Sequence, residues 1–319
     1  MNSPAAQHSI KSNSSTGILP YDPNEYPREI PRHYISASDS DIAEMMDKAG
    51  VDKLDDLFAH FPQETRFLHG PILPTELSYE DAAAHLETIA KSSNLVTSFI
   101  GDLLPVWKVH PIVEEISRLR PLTTSYTPYQ PERSQGTLVT HWIYQCVLSA
   151  LTGFEAINTS LYDRSAAIFE AISCARRSRK RTGSVLLASS LFPEDISFLE
   201  THAQGTDLNF EFCPLDPNSG RIDYDRLEDF LAKEHGNISA FVFPQVNALG
   251  LLEEVDRLSD LSNLWEIPSI AVIDPALLAT GGLKPPSEFG ESGVDFIVGE
   301  AQHLAIPPSF GGPGLGLFG

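Results

Sequence analysis

Positive charge is sparse in this sequence. Its 319 residues carry 22 Lys and Arg against 43 Asp and Glu, a formal net charge of −21. A chain this acidic repels phosphate backbones and anionic lipid surfaces, so neither nucleic acid nor a membrane is expected as a partner. Cysteine is scarcer still. Cys146, Cys174 and Cys213 lie far apart with no C-x-x-C spacing, which offers neither a disulfide framework nor a metal site, and they read as buried free thiols. No stretch reaches the ~18 uninterrupted apolar residues of a membrane helix, and the first 38 residues hold no apolar core of signal-peptide length. The expected location is the cytoplasm. No G-x-S-x-G occurs, so a serine hydrolase is a poor reading. Lysine runs out early, since Lys284 is the only one beyond Lys233.

What is present is a large apolar share, 42%, enough for a sizeable core. Residues 1–38, with prolines at 4, 20, 23, 27 and 31, read as a disordered or extended arm. Residues 39–75 read as a small helical unit: Ile42, Met45, Met46 and Ala49 recur at helical spacing before Gly50, and Leu54, Leu57, Phe58 and Phe61 repeat it before Pro62. From 76 to 319 the expectation is a large α/β domain. Ser78 caps a helix to about Lys91, Pro111 opens one that Pro121 ends, and Ser134–Leu151 and Leu161–Arg181 are longer helices. The latter carries the small residues Ala166, Ala167, Ala171 and Ala175, and ends in the basic run Arg176–Arg181, which reads as a solvated helix end. Five short apolar runs then read as buried strands: Ser184–Ala188, Asn209–Cys213, Ser239–Phe243, Ser269–Ile273 and Phe296–Val298. Helical patterns at Pro193–His202, Asp223–Leu231 and Val255–Leu264 alternate with them, which predicts a mainly parallel sheet.

Ligands of such sheets bind at the carboxyl ends of strands. Asp274 follows one strand directly, either as a loop cap or as an ion partner for a ligand; Gln245 and Asn247 follow another, and Gln302 and His303 a third. The stretch Tyr126–Gln135 (YTPYQPERSQ) is stiffened by two prolines and suits a binding loop or an oligomer contact. The glycine-rich Gly311–Gly316 (GGPGLG) suggests a phosphate cradle but lacks the G-K-[ST] ending.

Several blocks together carry a resemblance: Tyr126–Leu138, Leu151–Gly153, Asn158–Asp163, Leu283–Pro286 with Glu288–Gly290, and Val298–Gly316 (VGEAQHLAIPPSFGGPGLG). In their order and content they resemble subunit 1 of the glycine cleavage system P-protein, over roughly residues 40 to 319. The resemblance implies the pyridoxal-phosphate transferase type I fold, with a large domain of mainly parallel sheet and no C-terminal small domain, since family members continue past the glycine-rich stretch. It further implies a heterotetramer with a beta-type subunit that carries pyridoxal phosphate, decarboxylation of glycine, and transfer of the aminomethyl group to the lipoyl arm of a carrier (H) protein.

A pyridoxal-phosphate enzyme needs a lysine amine for its cofactor aldehyde. Counted back from Ile306-Pro307, the resemblance puts Gln302 at that position, and a carboxamide cannot replace the amine. No catalytic residue is therefore expected in this chain. Asp163, Asp274, Gln302 and His303 are expected to outline a vestigial cofactor pocket with nothing covalently bound. Tyr126, Tyr129, Gln130, Ser134 and Gln135 are the candidate loop that this subunit lends to the partner's site.

There are departures. Arg164 stands where the family block has glycine and could plug a pocket, Gly101-Asp102-Leu103-Leu104 replaces a Gly-Ala-Gly segment, and Phe243–Gly250 differs from the family's Tyr/Phe-Pro-Asn-Phe-Phe-Gly. Two other readings stay open: a degenerate, non-catalytic member kept for assembly or regulation, and a self-sufficient pyridoxal-phosphate enzyme using Lys284.

Overall fold

A computed structural model describes residues 37–65, 77–94, 96, 97, 99, 107–308 and 312–319. The expected arm, up to residue 36, and the Gly101–Leu104 departure lie outside the described residues.

The chain divides into two compact units, Met1–Leu95 and Val96–Gly319. In the first, α1 (Asp39–Ala49) is closed at both ends by its sequence. The Ser38 hydroxyl accepts the Asp41 N–H, the Asp41 carboxylate accepts the Ser38 N–H, and Gly50 turns left-handed at φ 68° with its N–H on Met46 and Asp47 carbonyls. Ser78 caps α2 (Tyr79–Ser92) by accepting the Asp81 N–H on its hydroxyl, which itself donates to the Asp81 carboxylate. Between them, Leu54–Phe58 forms a single 3-10 turn where helical periodicity predicts an α-helix. The segment between Gly50 and Pro62 is too short to repay helix nucleation.

The second unit contains α3 (Ile112–Ser117), α4 (Gln135–Thr152), α5 (Arg164–Arg179), β1 (Ser184–Ala188), α6 (Pro193–Ala203), β2 (Phe210–Cys213), α7 (Tyr224–Glu234), β3 (Ile238–Pro244), α8 (Val255–Leu264), β4 (Ser269–Ile273), α9 (Pro275–Ala279), β5 (Phe296–Glu300), α10 (Gln302–Ala305) and β6 (Gly316–Phe318). The strands form one sheet in the order β2-β1-β3-β4-β5-β6, parallel except for β6, which runs antiparallel to β5. Strands β3 and β4 are buried along their whole length, as expected for the centre of a sheet covered on both faces. Phe241 and Phe243 are fully buried there, each a gain of roughly 1.5–3 kcal/mol over exposure.

Helix α5 packs on β3 through β6 and places the site. Ala167, Ala171 and Ala175 are wholly buried beside Ile168 and Ile172, so the helix lies close to the sheet. It begins at Arg164 rather than Leu161, because Asp163 caps it and Leu161 instead bridges Gly316. Three expectations are corrected. Pro121 does not end the Pro111 helix, which stops at Ser117, and sits inside a separate 3-10 turn, Arg120–Leu122, since its fixed φ suits the first turn of a new element. Only Cys213 is a buried thiol: Cys174 is half-buried and Cys146 is exposed on the outer face of α4. Ala166 is only partly buried. Among the described residues no helix is long and apolar enough to cross a membrane, and no cluster of three or more His, Cys, Asp or Glu is arranged to hold a metal.

Candidate functional site

The carboxyl ends of β1, β3, β4 and β5 and the first turn of α5 bring the candidate residues together. Asp274 leaves β4 and caps α9: its Oδ1 accepts the Ala276 N–H at 2.8 Å and lies 3.1 Å from His303 Nε2. Facing a carboxylate, that nitrogen carries the hydrogen. The Asp274 bond holds the His303 imidazole above its ordinary pKa, against the opposing effect of burial, and the Glu300 charge adds to it. Burial pushes the Asp274 carboxyl up, but His303 and the Ala276 and Leu277 N–H groups outweigh it and leave it below the ordinary carboxylate value.

Glu300, the last residue of β5, is the centre of a second group. Its Oε1 accepts the N–H of Gln302 at 2.9 Å and of Leu315 at 2.8 Å, and its Oε2 accepts the N–H of Arg164 at 3.2 Å. The Arg164 N–H is one of the donors that the start of a helix leaves without an internal partner. Asp163 takes another, the Ala166 N–H, at 2.7 Å. The glycine-rich stretch has to come in close here: a Cβ at Gly316 would stand 2.3 Å from the Asp163 carbonyl oxygen, and one at Gly314 would stand 2.8 Å from that of Tyr162. The Tyr144 hydroxyl, on α4, is buried without a hydrogen-bond partner among the described residues. Burial and the Glu300 charge push its pKa up to about 12.

Arg164 plugs no part of this group, because its side chain turns to α6. Its Nε lies 2.7 Å from Asp195, a terminal nitrogen lies 2.6 Å from Glu194, and the guanidinium sits 4.0 Å from the Phe192 ring centroid. Asp195 is wholly buried and also accepts the Ser165 hydroxyl. Burial pushes the Asp195 carboxyl above its ordinary value, and Arg164 and Ser165 offset part of that rise. At the ends of the adjacent strands β1 and β3, Ser190 Oγ and Gln245 Oε1 are buried with no partner among the described residues, while Gln245 Nε2 donates to the Lys284 carbonyl at 2.8 Å. Such orphaned atoms are uncommon in a folded interior and mark the polar edge of a site.

Of the pocket expected from the sequence, Asp274 and His303 are joined directly. Asp163 and the Gln302 backbone belong to the Glu300 group, and the Gln302 carboxamide lies 3.5 Å from the Pro307 carbonyl. Glu300, Tyr144 and Asp195 were not singled out by sequence reasoning; the signal for Glu300 was its place at the end of the β5 run, directly before Gln302.

The loop expected to serve a partner has its serine inward and its tyrosines outward. The Ser134 hydroxyl is 2.9 Å from that of Ser125, and Gln135 Nε2 donates to the Pro131 carbonyl at 2.6 Å. Tyr126 and Tyr129 are fully exposed, and Gln130 is exposed as well. On α4, Val139, Trp142, Ile143 and Val147 form an exposed apolar strip. A cavity of about 850 Å³ opens elsewhere, at the amino end of β5 between Phe154, Val294, Phe296 and Phe318, away from all the residues above.

Pyridoxal phosphate demands an amine for its aldehyde, a carboxylate for its pyridinium nitrogen and donors for its phosphate. These residues do not fit it. Gln302 has no nucleophilic amine, the Asp274 carboxylate is engaged by His303, and the α5 amide is engaged by Glu300. The Lys284 amine is on the outside of the domain, 2.8 Å from Asp256 of α8.

The profile of the glycine cleavage system P-protein matches residues 32–319. The chain is 34% identical over 283 residues to a probable glycine dehydrogenase (decarboxylating) subunit 1 of Nitrosomonas europaea, covering 89% of this chain and 61% of that protein. The counterpart of Aquifex aeolicus is 33% identical over 285 residues, with 89% and 63% covered. The chain thus spans about three-fifths of the length of the curated relatives it matches. Among solved structures, a glycine decarboxylase (P-protein) of the glycine cleavage system in inhibitor-bound form superposes with a TM-score of 0.73 at 33% identity, over 89% of this chain and 62% of the other. A sphingosine-1-phosphate lyase of Burkholderia pseudomallei, 15% identical with a TM-score of 0.54 over 80% of this chain and 61% of that one, shares the fold alone. The architecture is that of the pyridoxal-phosphate transferase type I large domain.

Proposed function

Because this chain belongs to the glycine cleavage system P-protein family, we propose that it is the subunit of a two-subunit, cytoplasmic glycine decarboxylase that does not carry the cofactor. Pyridoxal phosphate is then held by a beta-type partner, glycine loses its carboxylate there, and the aminomethyl group passes to the lipoyl arm of the carrier protein. The observation that carries this reading is Gln302: the residue following β5 and Ala301 ends in a carboxamide, which cannot engage the cofactor aldehyde. The surface supports a partner. An exposed apolar strip on α4, with two exposed tyrosines in the segment that leads into it, is the composition of an interface core rather than of a solvated helix.

What this chain contributes on that reading is positioning. The Tyr126–Gln135 loop is fixed from inside by Ser134 and Gln135, so Tyr126, Tyr129 and Gln130 can bound a site on the partner and exclude water from it. The test is co-expression with a beta-type subunit, followed by glycine–bicarbonate exchange with and without this chain. Exchange that requires both chains, with borohydride fixing pyridoxal phosphate only to the partner, is the expected result. Borohydride fixation to Lys284 in this chain would favour the self-sufficient enzyme instead. Full exchange by the partner alone would leave this chain an assembly or regulatory role.

A further inference from the structure

The amino ends of β1, β4 and β5, at the opposite end of the sheet from the candidate site, carry charged residues that the proposed function does not use. Helices α5 and α8 end here in the same way. After α5 the Lys180 N–H returns to the Arg176 and Arg177 carbonyls and the Arg181 N–H to that of Arg176; after α8 the Glu266 N–H returns to the Asn263 carbonyl and the Ile267 N–H to that of Ser262. Such a turn takes one left-handed residue, and glycine is the usual one. Lys180 at φ 51° and Glu266 at φ 55° stand in that place, the only non-glycine residues with positive φ among the described residues. Strain of this kind gathers at functional sites. Residues from both helix ends line one cleft of about 450 Å³, Arg179, Arg181, Asn263 and Glu266 among them, with Ile267 and Pro268 as an apolar wall. Arg179 is 2.9 Å from Asp295, whose other oxygen accepts the N–H and hydroxyl of Ser269, so that pair is satisfied. Two charges remain open. Arg181 gives one terminal nitrogen to the Ile238 carbonyl at 2.9 Å, which fixes its guanidinium, and its other donors have no partner among the described residues. The exposed Glu266 carboxylate has none there either, and the two share the cleft without pairing with each other.

We propose that this cleft binds a small zwitterion, a carboxylate and an ammonium joined by a short hydrocarbon stem, as in an amino acid. The ligand carboxylate takes the open donors of Arg181, whose planar fork suits two carboxylate oxygens. The ligand ammonium takes Glu266, and the stem lies on Ile267 and Pro268. An anion alone would meet Glu266 unneutralised, and a cation alone would meet Arg181. A ligand of both signs satisfies the two at once and adds no net charge to a chain that stands at −21. The proposal is independent of the reading of function above, because no residue of the cleft belongs to the candidate site or to the Tyr126–Gln135 loop.

The test titrates the full chain with glycine and with 4-aminobutyrate, which differ in the distance between their charges, and with acetate and methylammonium as the separate halves. Binding is read by calorimetry. At least one of the two amino acids is expected to bind about tenfold or more tightly than either half, the size of one charge-assisted hydrogen bond. Glu266→Gln should weaken that amino acid by about tenfold and leave acetate unchanged. Arg181→Gln should weaken it equally and leave methylammonium unchanged. Exchanging the two charges, Arg181→Glu with Glu266→Lys, keeps both signs in the cleft and should restore binding that either reversal alone removes. Arg181 also holds the start of β3, so a folding defect could follow its replacement; Glu266→Gln touches no other side chain and decides the matter alone in that case. The proposal is overturned if neither amino acid binds saturably, if acetate binds as tightly as both, or if Glu266→Gln leaves the affinity unchanged.

Discussion

His303 Nε2 lies 3.1 Å from Asp274 Oδ1, joining the loop after β5 to the loop after β4 by a bond that depends on protonation. The His303 pKa is raised from 6.5, so its contribution to stability is complete below that value and is lost as pH climbs through the raised one. The Asp274 pKa is lowered from 3.8, so its contribution is complete above that value and is lost as pH falls through the lowered one. Comparing the melting temperatures of wild type and His303→Gln across pH should therefore give the largest difference between 3.8 and 6.5, shrinking on the alkaline side. A difference that does not vary with pH would show that the bond carries no charge.

Arg164→Gly restores the residue of the family block and removes the cation facing the fully buried Asp195. Breaking one side of a buried pair costs about 3–5 kcal/mol, which urea unfolding would register directly. Arg164→Gly combined with Asp195→Ala should recover part of the loss, because no buried charge is then left alone. Equal losses in the single and double variants would mean that Arg164 acts through packing on Phe192 instead.

Tyr129→Ala with Gln130→Ala should leave unfolding within about 0.5 kcal/mol of wild type, since both side chains project into solvent. Glycine–bicarbonate exchange by the reconstituted pair is expected to drop by about tenfold or more, the scale on which misplaced site walls act. Unchanged exchange would reject a role for the loop at the partner's site.

Trp142→Glu addresses the α4 strip. Its side chain is two-thirds exposed, so the isolated chain should fold normally, and co-purification with the beta-type partner should fail. Recovery of the intact complex would place the interface elsewhere.

Much of this fold could be read from the residues because its elements satisfy one rule each. β1, β4 and α8 occupy the predicted ranges, since uninterrupted apolar runs and a clean helical stripe admit no other reading. Gly50 and Ser78 bound their helices as predicted, one by a left-handed turn and the other by a side-chain cap. Three short elements, β6, α9 and α10, were missed because they are short. β6 exists because β5 and Leu161 offer it partners, and no local pattern reports a partner far along the chain. The site divides in the same way. Gln302, Asp274 and His303 were legible as polar residues following strands, and Glu300 was not, because its place depends on the amides of Arg164 and Leu315, 136 and 15 positions away. Arg164 was legible as an anomaly, yet its partners Asp195 and Glu194 lie in another helix, so the direction in which it points was not.

The contact between Arg164 and Glu300 also sets a timetable. The two residues are 136 positions apart. At ribosomal speeds of about 5–20 residues per second, the opening turn of α5 is made on the order of ten seconds before the acceptor for its first amide exists. Throughout that interval the alanine-lined underside of the helix has no completed β5 to rest on. The nascent protein is then most exposed to wrong associations, and a chaperone or an early-arriving partner would have the most to shield.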